Sequence, residues 1–228
     1  MLDPFIEALA ARLTQPLPGE AAQSRFSPRP PRGGSFARVP PPDARQAAAL
    51  ILLYPTDALV EDVTARFALP LTVRRSDLPD HAGQISLPGG RIDTGETAMA
   101  AALREAEEEI GVDPSTVRIL GSLTPLYVMV SRFVITPFVG VANSRPVFRP
   151  AEREVAELLE VPISQLSDRD NLRWGHRTRD GYLVDFPYFD IRDAHHTGDA
   201  PGHQVWGATA MVLGEFLSLF DDSFGPAS

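Results

Sequence analysis

The stretch from Gly90 to Val112 constrains this chain more than any other segment. It reads GRIDTGETAMAAALREAEEEIGV, with glycine at its start and an alanine-rich centre. Asp93 followed three residues later by Glu96 is typical of a capping box, and Gly111 predicts the end of a helix. The pattern therefore predicts a glycine-containing loop that leads into one amphipathic helix. We call residues 90–112 the box segment.

The predicted helix separates apolar from acidic side chains. At 3.6 residues per turn, the apolar stripe comprises Met99, Ala102, Leu103, Ala106 and Ile110. Glu105, Glu108 and Glu109 stand at positions i, i+3 and i+4, so their carboxylates should converge on one patch. Glu107 should point into solvent. A divalent cation such as Mg²⁺ would relieve the repulsion within the patch, and a solvated acidic face is the alternative that helix charge alone leaves open.

The spacing of the box segment resembles the Nudix box. Its fixed positions are filled by Gly90, Glu96, Arg104, Glu105, Glu108, Glu109 and Gly111, with Ala106 and Val112 in the apolar slots. Because so many fixed positions match, the chain is identified as a member of the Nudix hydrolase superfamily. The resemblance implies an α/β fold, an α/β/α sandwich with a mixed sheet, whose box loop and helix carry the active site.

The resemblance also implies a role for each charged residue of the box. Glu105 and Glu109 match the principal metal ligands, and Glu108 matches a further or water-mediated ligand. Arg104 matches the arginine that orients a box glutamate, with a plain surface ion pair as its alternative. Glu96 could be a distal metal ligand or a cap of the loop. The implied cofactor is Mg²⁺ or Mn²⁺, and the implied reaction is hydrolysis of a nucleoside diphosphate derivative between its phosphates.

The segment that precedes the box resembles the signature of coenzyme A pyrophosphatases. The matching residues are Leu71, Thr72, Arg74, Leu78, His81, Gly83, Gln84, Ile85, Pro88, Gly89 and Gly90. This subgroup hydrolyses coenzyme A to 3′,5′-ADP and 4′-phosphopantetheine. The residues that the resemblance then offers for substrate binding are Arg74, His81, Gln84, Gly89 and Gly90.

Four positions depart from the subgroup pattern. Pro79 and Arg75 replace the usual arginine and serine. Leu87 replaces phenylalanine, and Arg132 stands where glycine is common. A cation at position 79 would hold a phosphate, and Arg75 could compensate for its absence. ADP-ribose, NADH or a dinucleoside polyphosphate is therefore the alternative substrate, and a Nudix-fold binding module without turnover is a further alternative.

Several residues outside the two motifs are candidates for the site. The general base could be a box glutamate or one of the later acids Glu152, Glu154 and Glu157. Trp206 and Tyr127 could stack on a nucleobase, although core burial is the expectation for both. The spacing of His195, His196 and His203 fits no familiar metal site, so we expect loop histidines.

The remaining chain predicts one domain behind an N-terminal arm. Strands are predicted over 47–54, 69–74, 117–126, 133–141 and 182–191, and helices over 2–13, 152–160 and 205–220. Strands on both sides of an embedded helix indicate a mixed sheet between helices. We expect an arm over 1–44 with little core beyond its short helix, a Nudix domain over 45–222 and a tail over 223–228. The arm could cover the site, pair subunits into a homodimer, or be mobile.

Composition limits the partners of the protein. The net charge of −9 argues against a nucleic-acid or anionic membrane surface, but a bound metal would still allow a small phosphorylated nucleotide. The chain has no cysteine, which excludes disulfides, thiolate zinc sites and cysteine nucleophiles. No run of residues resembles a membrane span or a secretory signal, so the expected location is the cytoplasm.

Overall fold

A computed structural model describes residues 3–29, 39–56, 62, 64–75, 77, 83–179, 182–192 and 202–220. In these ranges the helices are α1 (Pro4–Leu13), α2 (Gly19–Ser24), α3 (Ala98–Ile110), α4 (Ile163–Ser167) and α5 (Gly207–Leu217). The strands are β1 (Arg45–Pro55), β2 (Phe67–Arg74), β3 (Ile85–Ser86), β4 (Gly89–Arg91), β5 (Val117–Ser122), β6 (Leu126–Val128), β7 (Phe133–Ala142), β8 (Val155–Pro162), β9 (Leu172–Arg179), β10 (Tyr182–Ile191) and β11 (His203–Trp206).

Eight strands form a mixed sheet. Five of them lie side by side in the order β3-β2-β1-β7-β5, and β4, β6 and β8 pair with strands of this row. Its centre is the parallel pair β1–β7, which runs from Arg45 opposite Phe133 to Leu53 opposite Val141. Antiparallel partners extend it: β4 pairs with β1, β6 with β7, and β8 with β2. Strands β9, β10 and β11 form a separate antiparallel sheet. The predicted α/β fold with a mixed sheet is confirmed.

Strand β1 supplies both faces of the main sheet with core residues, because its side chains alternate. Leu50 and Leu52 pack in the core beneath α3. Ile51 and Leu53 belong to the larger core on the opposite face, where α1, α5 and the three-stranded sheet contribute. All four side chains are completely buried. Helices thus cover both faces of the sheet, as expected for a sandwich.

Residues 3–29, before β1, contribute more to the core than the expected arm. The predicted first helix is confirmed as α1, which buries Ile6, Leu9 and Leu13. The expectation of little core beyond that helix is wrong, because Phe26 is buried and stacks on Phe189 with ring centroids 5.1 Å apart. The domain boundary at residue 44 stays a prediction.

Three other expectations about elements are wrong. Residues 155–162 form a strand and not a helix, because pairing with β2 overrides the helix preference of their Glu, Leu and Ala residues. The strand expected over 117–126 is divided into β5 and β6 around Pro125, which cannot donate to a ladder. The last helix begins only at Gly207, since the residues before it form β11.

Helix α3 begins later than the capping box suggested. Thr97 is the N-cap and accepts a hydrogen bond from the Ala100 N–H at 3.1 Å, so Asp93 is not the cap. Gly111 ends the helix with a φ of 72°, as predicted. The apolar stripe is also shifted at its start: Met99 is exposed, while Ala101 is completely buried against the sheet.

None of the helices in the described part of the chain combines the length and the apolar character needed to cross a lipid bilayer.

Candidate active site

Glu109 is the buried acid of the box segment. Only 7% of the residue is exposed, and its Oε2 accepts a hydrogen bond from the Gly89 N–H at 3.2 Å. Burial raises the pKa of Glu109 to about 7, because the charged form loses its water, and the charges of Glu105 and Glu154 add to the rise. The hydrogen bond from Gly89 and the charge of Arg74 oppose it.

Glu105 lies one helical turn before Glu109 and approaches the neighbouring glycine. A Cβ atom on Gly90 would lie 2.5 Å from the Glu105 carboxyl carbon, so the missing side chain makes room for this carboxylate. Burial raises the pKa of Glu105 as well, against the opposing effect of Arg104. Since Gly89 and Gly90 are adjacent in β4, the two carboxylates lie together against one short strand.

Arg104 connects the box loop, β4 and α3. Its Nε and Nη2 donate to the two oxygens of Glu96 at 3.0 Å each. Its Nη1 donates to Glu105 at 2.9 Å and to Glu108 at 3.1 Å. Nη2 also donates to the carbonyl oxygen of Arg91 at 3.0 Å. The contact with Glu105 has the geometry that an orienting arginine requires, and the role itself stays a prediction.

Glu96 and Glu108 are the other two acids of the box that were predicted as metal ligands. Glu96 also accepts a hydrogen bond from the Asp93 N–H at 3.1 Å, so it closes the loop before the helix. The bond from Arg104 lowers the pKa of Glu96. The side chain of Glu108 is 55% exposed. Glu108 nevertheless shares the Nη1 donor of Arg104 with Glu105, so it lies at the exposed edge of the predicted patch. The metal-ligand roles of Glu96 and Glu108 stay predictions.

The buried Glu109 and the half-buried Glu105 suit a hard divalent cation. Among the residues that the structure describes, no three acidic, histidine or cysteine side chains are grouped to hold a metal ion by themselves. Glu105 and Glu109 are, however, two neighbouring carboxylates, and the pKa of each is raised chiefly by burial and further by nearby negative charges. Mg²⁺ and Mn²⁺ accept a few carboxylates and complete their coordination with water and substrate phosphates. The donor set therefore fits, with Glu105 and Glu109 as the residues that would hold the ion.

One later acid lies within electrostatic reach of this pair. The acids left open as general bases are Glu152, Glu154 and Glu157. The charge of Glu154 raises the pKa of both Glu105 and Glu109. Glu157 instead faces His203, whose Nε2 lies 3.6 Å from its Oε1. The structure thus favours Glu154 among the three later acids, and a box glutamate remains the other option.

A cavity of about 1010 Å³ borders Gly89 and Gly90. The predicted substrate-binding residues that line it are Arg74, Gln84, Gly89 and Gly90. His81, the fifth, lies outside the described residues. The two glycines therefore contact the carboxylate pair and also form part of the cavity wall. Their roles in substrate binding stay predictions.

The cavity contains cations that the sequence reasoning missed. Its four lining arginines are Arg45, Arg74, Arg91 and Arg177, of which only Arg74 was singled out. They come from β1, β2, β4 and β9, so no motif connects them. Arg75 was expected to compensate for the missing arginine at position 79. It does not line the cavity, and its Nε and Nη2 donate to the two oxygens of Asp77 at 2.9 Å each.

Trp206 and Tyr127 also line the cavity. Both are half-buried, so the expectation of core burial is wrong for both. The guanidinium of Arg177 lies 4.7 Å from the centroid of the Trp206 ring. Of the three late histidines, His203 begins β11, and the other two, at positions 195 and 196, lie outside the described residues.

Arg132 occupies a position where the subgroup usually has glycine. Its φ is 59°, in the left-handed region that favours glycine, which gives a physical reason for that preference. The side chain of Arg132 forms an ion pair with Asp43, with Nη2 at 2.7 Å from Oδ2. Both side chains are largely exposed, so the pair adds little stability.

Comparison with family models gives one match. The NUDIX domain model matches residues 46–181, which is more than half of the chain. The matched range begins in β1, contains the whole box segment and ends between β9 and β10. It leaves out α1, α2, β10, β11 and α5, and Trp206 of the cavity wall lies in the part that it leaves out.

Curated relatives carry the same family name. The chain is 43% identical over 181 residues to "Uncharacterized Nudix hydrolase NudL" of Pectobacterium atrosepticum, covering 78% of this chain and 84% of that protein. It is 44% identical over 155 residues to the NudL protein of Escherichia coli K12, covering 64% and 72%. Among solved structures, the Nudix hydrolase RenU from M. smegmatis is 25% identical with a TM-score of 0.45, covering 55% and 74%.

Proposed function

The chain belongs to the Nudix family and is a hydrolase of nucleoside diphosphate derivatives, and from this premise we propose that its substrate is coenzyme A or a derivative of it. Water would add to one phosphorus of the pyrophosphate while the bond between that phosphorus and the bridging oxygen breaks. The bridging oxygen would leave with the other phosphoryl group. The products of coenzyme A are then 3′,5′-ADP and 4′-phosphopantetheine, two phosphate monoesters.

One observation carries this choice of substrate. The segment that resembles the coenzyme A signature contributes Arg74, Gln84, Gly89 and Gly90 to a single cavity wall. Two of these residues also contact the carboxylates that would hold the metal. The residues of the signature thus lie beside the proposed metal ligands, where they could contact the substrate and select it.

The side chains of this site would position the pyrophosphate and move one proton. Arg74 lines the cavity together with Gly89 and Gly90, so it would bind a pyrophosphate oxygen there. A carboxylate of the group Glu105, Glu109 and Glu154 would accept a proton from the attacking water. A bound divalent cation supplies neutralisation of the charge on the pyrophosphate oxygens. Arg104 would keep Glu105 in place through its hydrogen bond.

A substrate panel tests the proposal. Purified protein with Mg²⁺ or Mn²⁺ would be incubated with coenzyme A, ADP-ribose, NADH and diadenosine tetraphosphate, and the products would be separated by chromatography. We expect the highest kcat/KM with coenzyme A and the appearance of both named products. The Glu109→Gln variant, prepared in the same way, reports any contaminating activity. Coenzyme A that survives intact while ADP-ribose is cleaved would overturn this choice of substrate.

A further inference from the structure

The charge of the cavity exceeds what a pyrophosphate alone requires. Its four arginines are accompanied by no acidic side chain among the described lining residues, although the whole chain has a net charge of −9. A divalent cation would be balanced by the carboxylates of Glu105 and Glu109, so the arginines are left to offset the charge of the ligand. Arg45 already donates to the Ser131 carbonyl oxygen and lies over the Phe133 ring. A bridging pyrophosphate carries about two negative charges, which Arg74 and Arg91 would match, and Arg177 remains. The excess of positive charge therefore indicates a ligand with an additional anionic group.

The other three cavity arginines divide into two groups by their place in the fold. Arg74 belongs to β2 and Arg91 directly follows Gly90 in β4, so both lie on the main sheet, whose β4 glycines contact the two carboxylates. Arg177 belongs to β9 in the separate three-stranded sheet. Of the cavity arginines, Arg177 thus lies on the wall that the three-stranded sheet forms, and not on the main sheet.

The side chain of Arg177 is held in place by aromatic packing. Its guanidinium lies 4.7 Å from the Trp206 ring centroid, and the Trp206 ring lies 5.3 Å from that of Phe186. Phe186 in turn lies close over Gly175, where a Cβ would come within 2.8 Å of its Cζ. A guanidinium that stacks on a ring keeps its N–H groups available in its plane, and these match two phosphate oxygens.

We propose that Arg177, held over Trp206, is a specificity-determining residue that binds a phosphate carried on the ribose of the substrate, away from the cleaved bond. This rests on the proposed function, because it assumes a nucleotide whose pyrophosphate lies at Glu105 and Glu109. Coenzyme A has such a phosphate on its 3′ oxygen, whereas ADP-ribose and NADH have none. The subsite would therefore select among the members of the substrate panel.

Binding of product-like nucleotides tests the subsite without turnover. Calorimetry would measure adenosine 3′,5′-bisphosphate and AMP against the full-length protein in the absence of divalent metal. We expect the bisphosphate to bind about 10-fold more tightly or better, and Arg177→Gln to remove that preference while AMP affinity stays within about 2-fold. The control is Arg173→Gln, an exposed arginine of the same strand that does not line the cavity and should keep the preference.

Two results would overturn the subsite: equal binding of the two nucleotides by the unmodified protein, or an unchanged preference in Arg177→Gln. Neither ligand contains a pyrophosphate, so this measurement is independent of the substrate panel. A preference for the bisphosphate without cleavage of coenzyme A would support the subsite and contradict the proposed reaction. Cleavage of coenzyme A without this preference would support the reaction and contradict the subsite.

Discussion

At the scale of single residues, the fold places Glu109 in surroundings that oppose its charge. Its carboxylate is nearly removed from water and accepts a hydrogen bond from the backbone N–H of Gly89. Glu105 and Glu154 add two further negative charges nearby. A carboxylate in such a place is unfavourable for folding unless a cation or a proton joins it. Glu109 should therefore lower the stability of the metal-free protein, and the proposed cation would offset this loss.

This burial predicts a pH-dependent stability of the metal-free protein. The pKa of Glu109 is raised from 4.5 to about 7 in the fold, so its contribution is most favourable below pH 4.5 and is lost as the pH rises through about 7. The loss amounts to about 3 kcal/mol of unfolding free energy. Urea unfolding in EDTA should show about 2 kcal/mol of this loss between pH 5.5 and pH 8, and Glu109→Gln should remove most of the difference. Equal pH dependence in the variant would contradict the burial argument.

Sequence reasoning reached part of this residue-level description. Helix geometry set the exposed Glu107 apart from the other acids, and the box pattern singled out Glu105 and Glu109. It could not give the burial of Glu109, because that depends on how closely β4 approaches the helix. Trp206 was singled out only as a residue that could stack on a nucleobase. Arg177 was not predicted, since its contact with Trp206 joins two strands that are distant in sequence.

At the scale of elements, β4 links the cavity to the carboxylates. It pairs antiparallel with β1 through Ala49 opposite Gly89 and Ala48 opposite Gly90. A Cβ on Gly89 would lie 2.4 Å from the backbone oxygen of Ala48, whereas a Cβ on Gly90 would meet only the end of the Glu105 side chain. Two neighbouring glycines are therefore required for different reasons.

Alanine substitutions should separate these two reasons. Gly89→Ala meets rigid backbone and should lower the unfolding free energy by about 2 kcal/mol or more. Gly90→Ala can be accommodated by moving the flexible Glu105 carboxylate, so it should unfold within about 1 kcal/mol of the unmodified protein but lose about 10-fold or more in kcat. Urea unfolding and steady-state kinetics measure the two effects. A larger loss of stability in Gly90→Ala than in Gly89→Ala would contradict the contacts assigned to the two glycines.

The elements that sequence reasoning missed are those that pairing decides. Strand β8 is built from helix-favouring residues, and its register with β2 gives it a strand conformation. Strands β3 and β4 are too short to produce a periodic pattern. The long runs in β1 and β7 were found, because continuous apolar character is typical of strands buried on both faces.

At the scale of the whole molecule, the N-terminal segment belongs to the wall of the site. Ser27 and Pro28 line the cavity, directly after the buried Phe26. The segment is anchored by Glu215 of α5, which is completely buried. Its carboxylate accepts hydrogen bonds from the Gly19 N–H at 3.2 Å, the Thr124 N–H at 3.2 Å and the Gln23 side chain at 2.7 Å. Because these partners are distant in sequence, no local pattern could have predicted the anchor.

Removing the anchor should destabilise the whole fold. Glu215→Ala leaves three donors in the interior without their acceptor, which should lower the unfolding free energy by about 2–4 kcal/mol. Glu20→Ala, an exposed acid on α2, is the matched control and should change it by less than about 0.5 kcal/mol. Urea unfolding monitored by circular dichroism gives both values. Similar values for the two variants would show that the carboxylate does not hold the segment.

The measurement that most directly tests the metal site is coenzyme A hydrolysis as a function of Mg²⁺ or Mn²⁺ concentration in matched box variants. We expect the unmodified protein to be inactive in EDTA and to recover on addition of either ion. Glu109→Gln should lower kcat by about 100-fold or more, because it removes a buried ligand, whereas the exposed Glu107→Gln should retain full activity. Full activity in Glu109→Gln, or an equal loss in both variants, would contradict the assignment of Glu105 and Glu109 as the metal site.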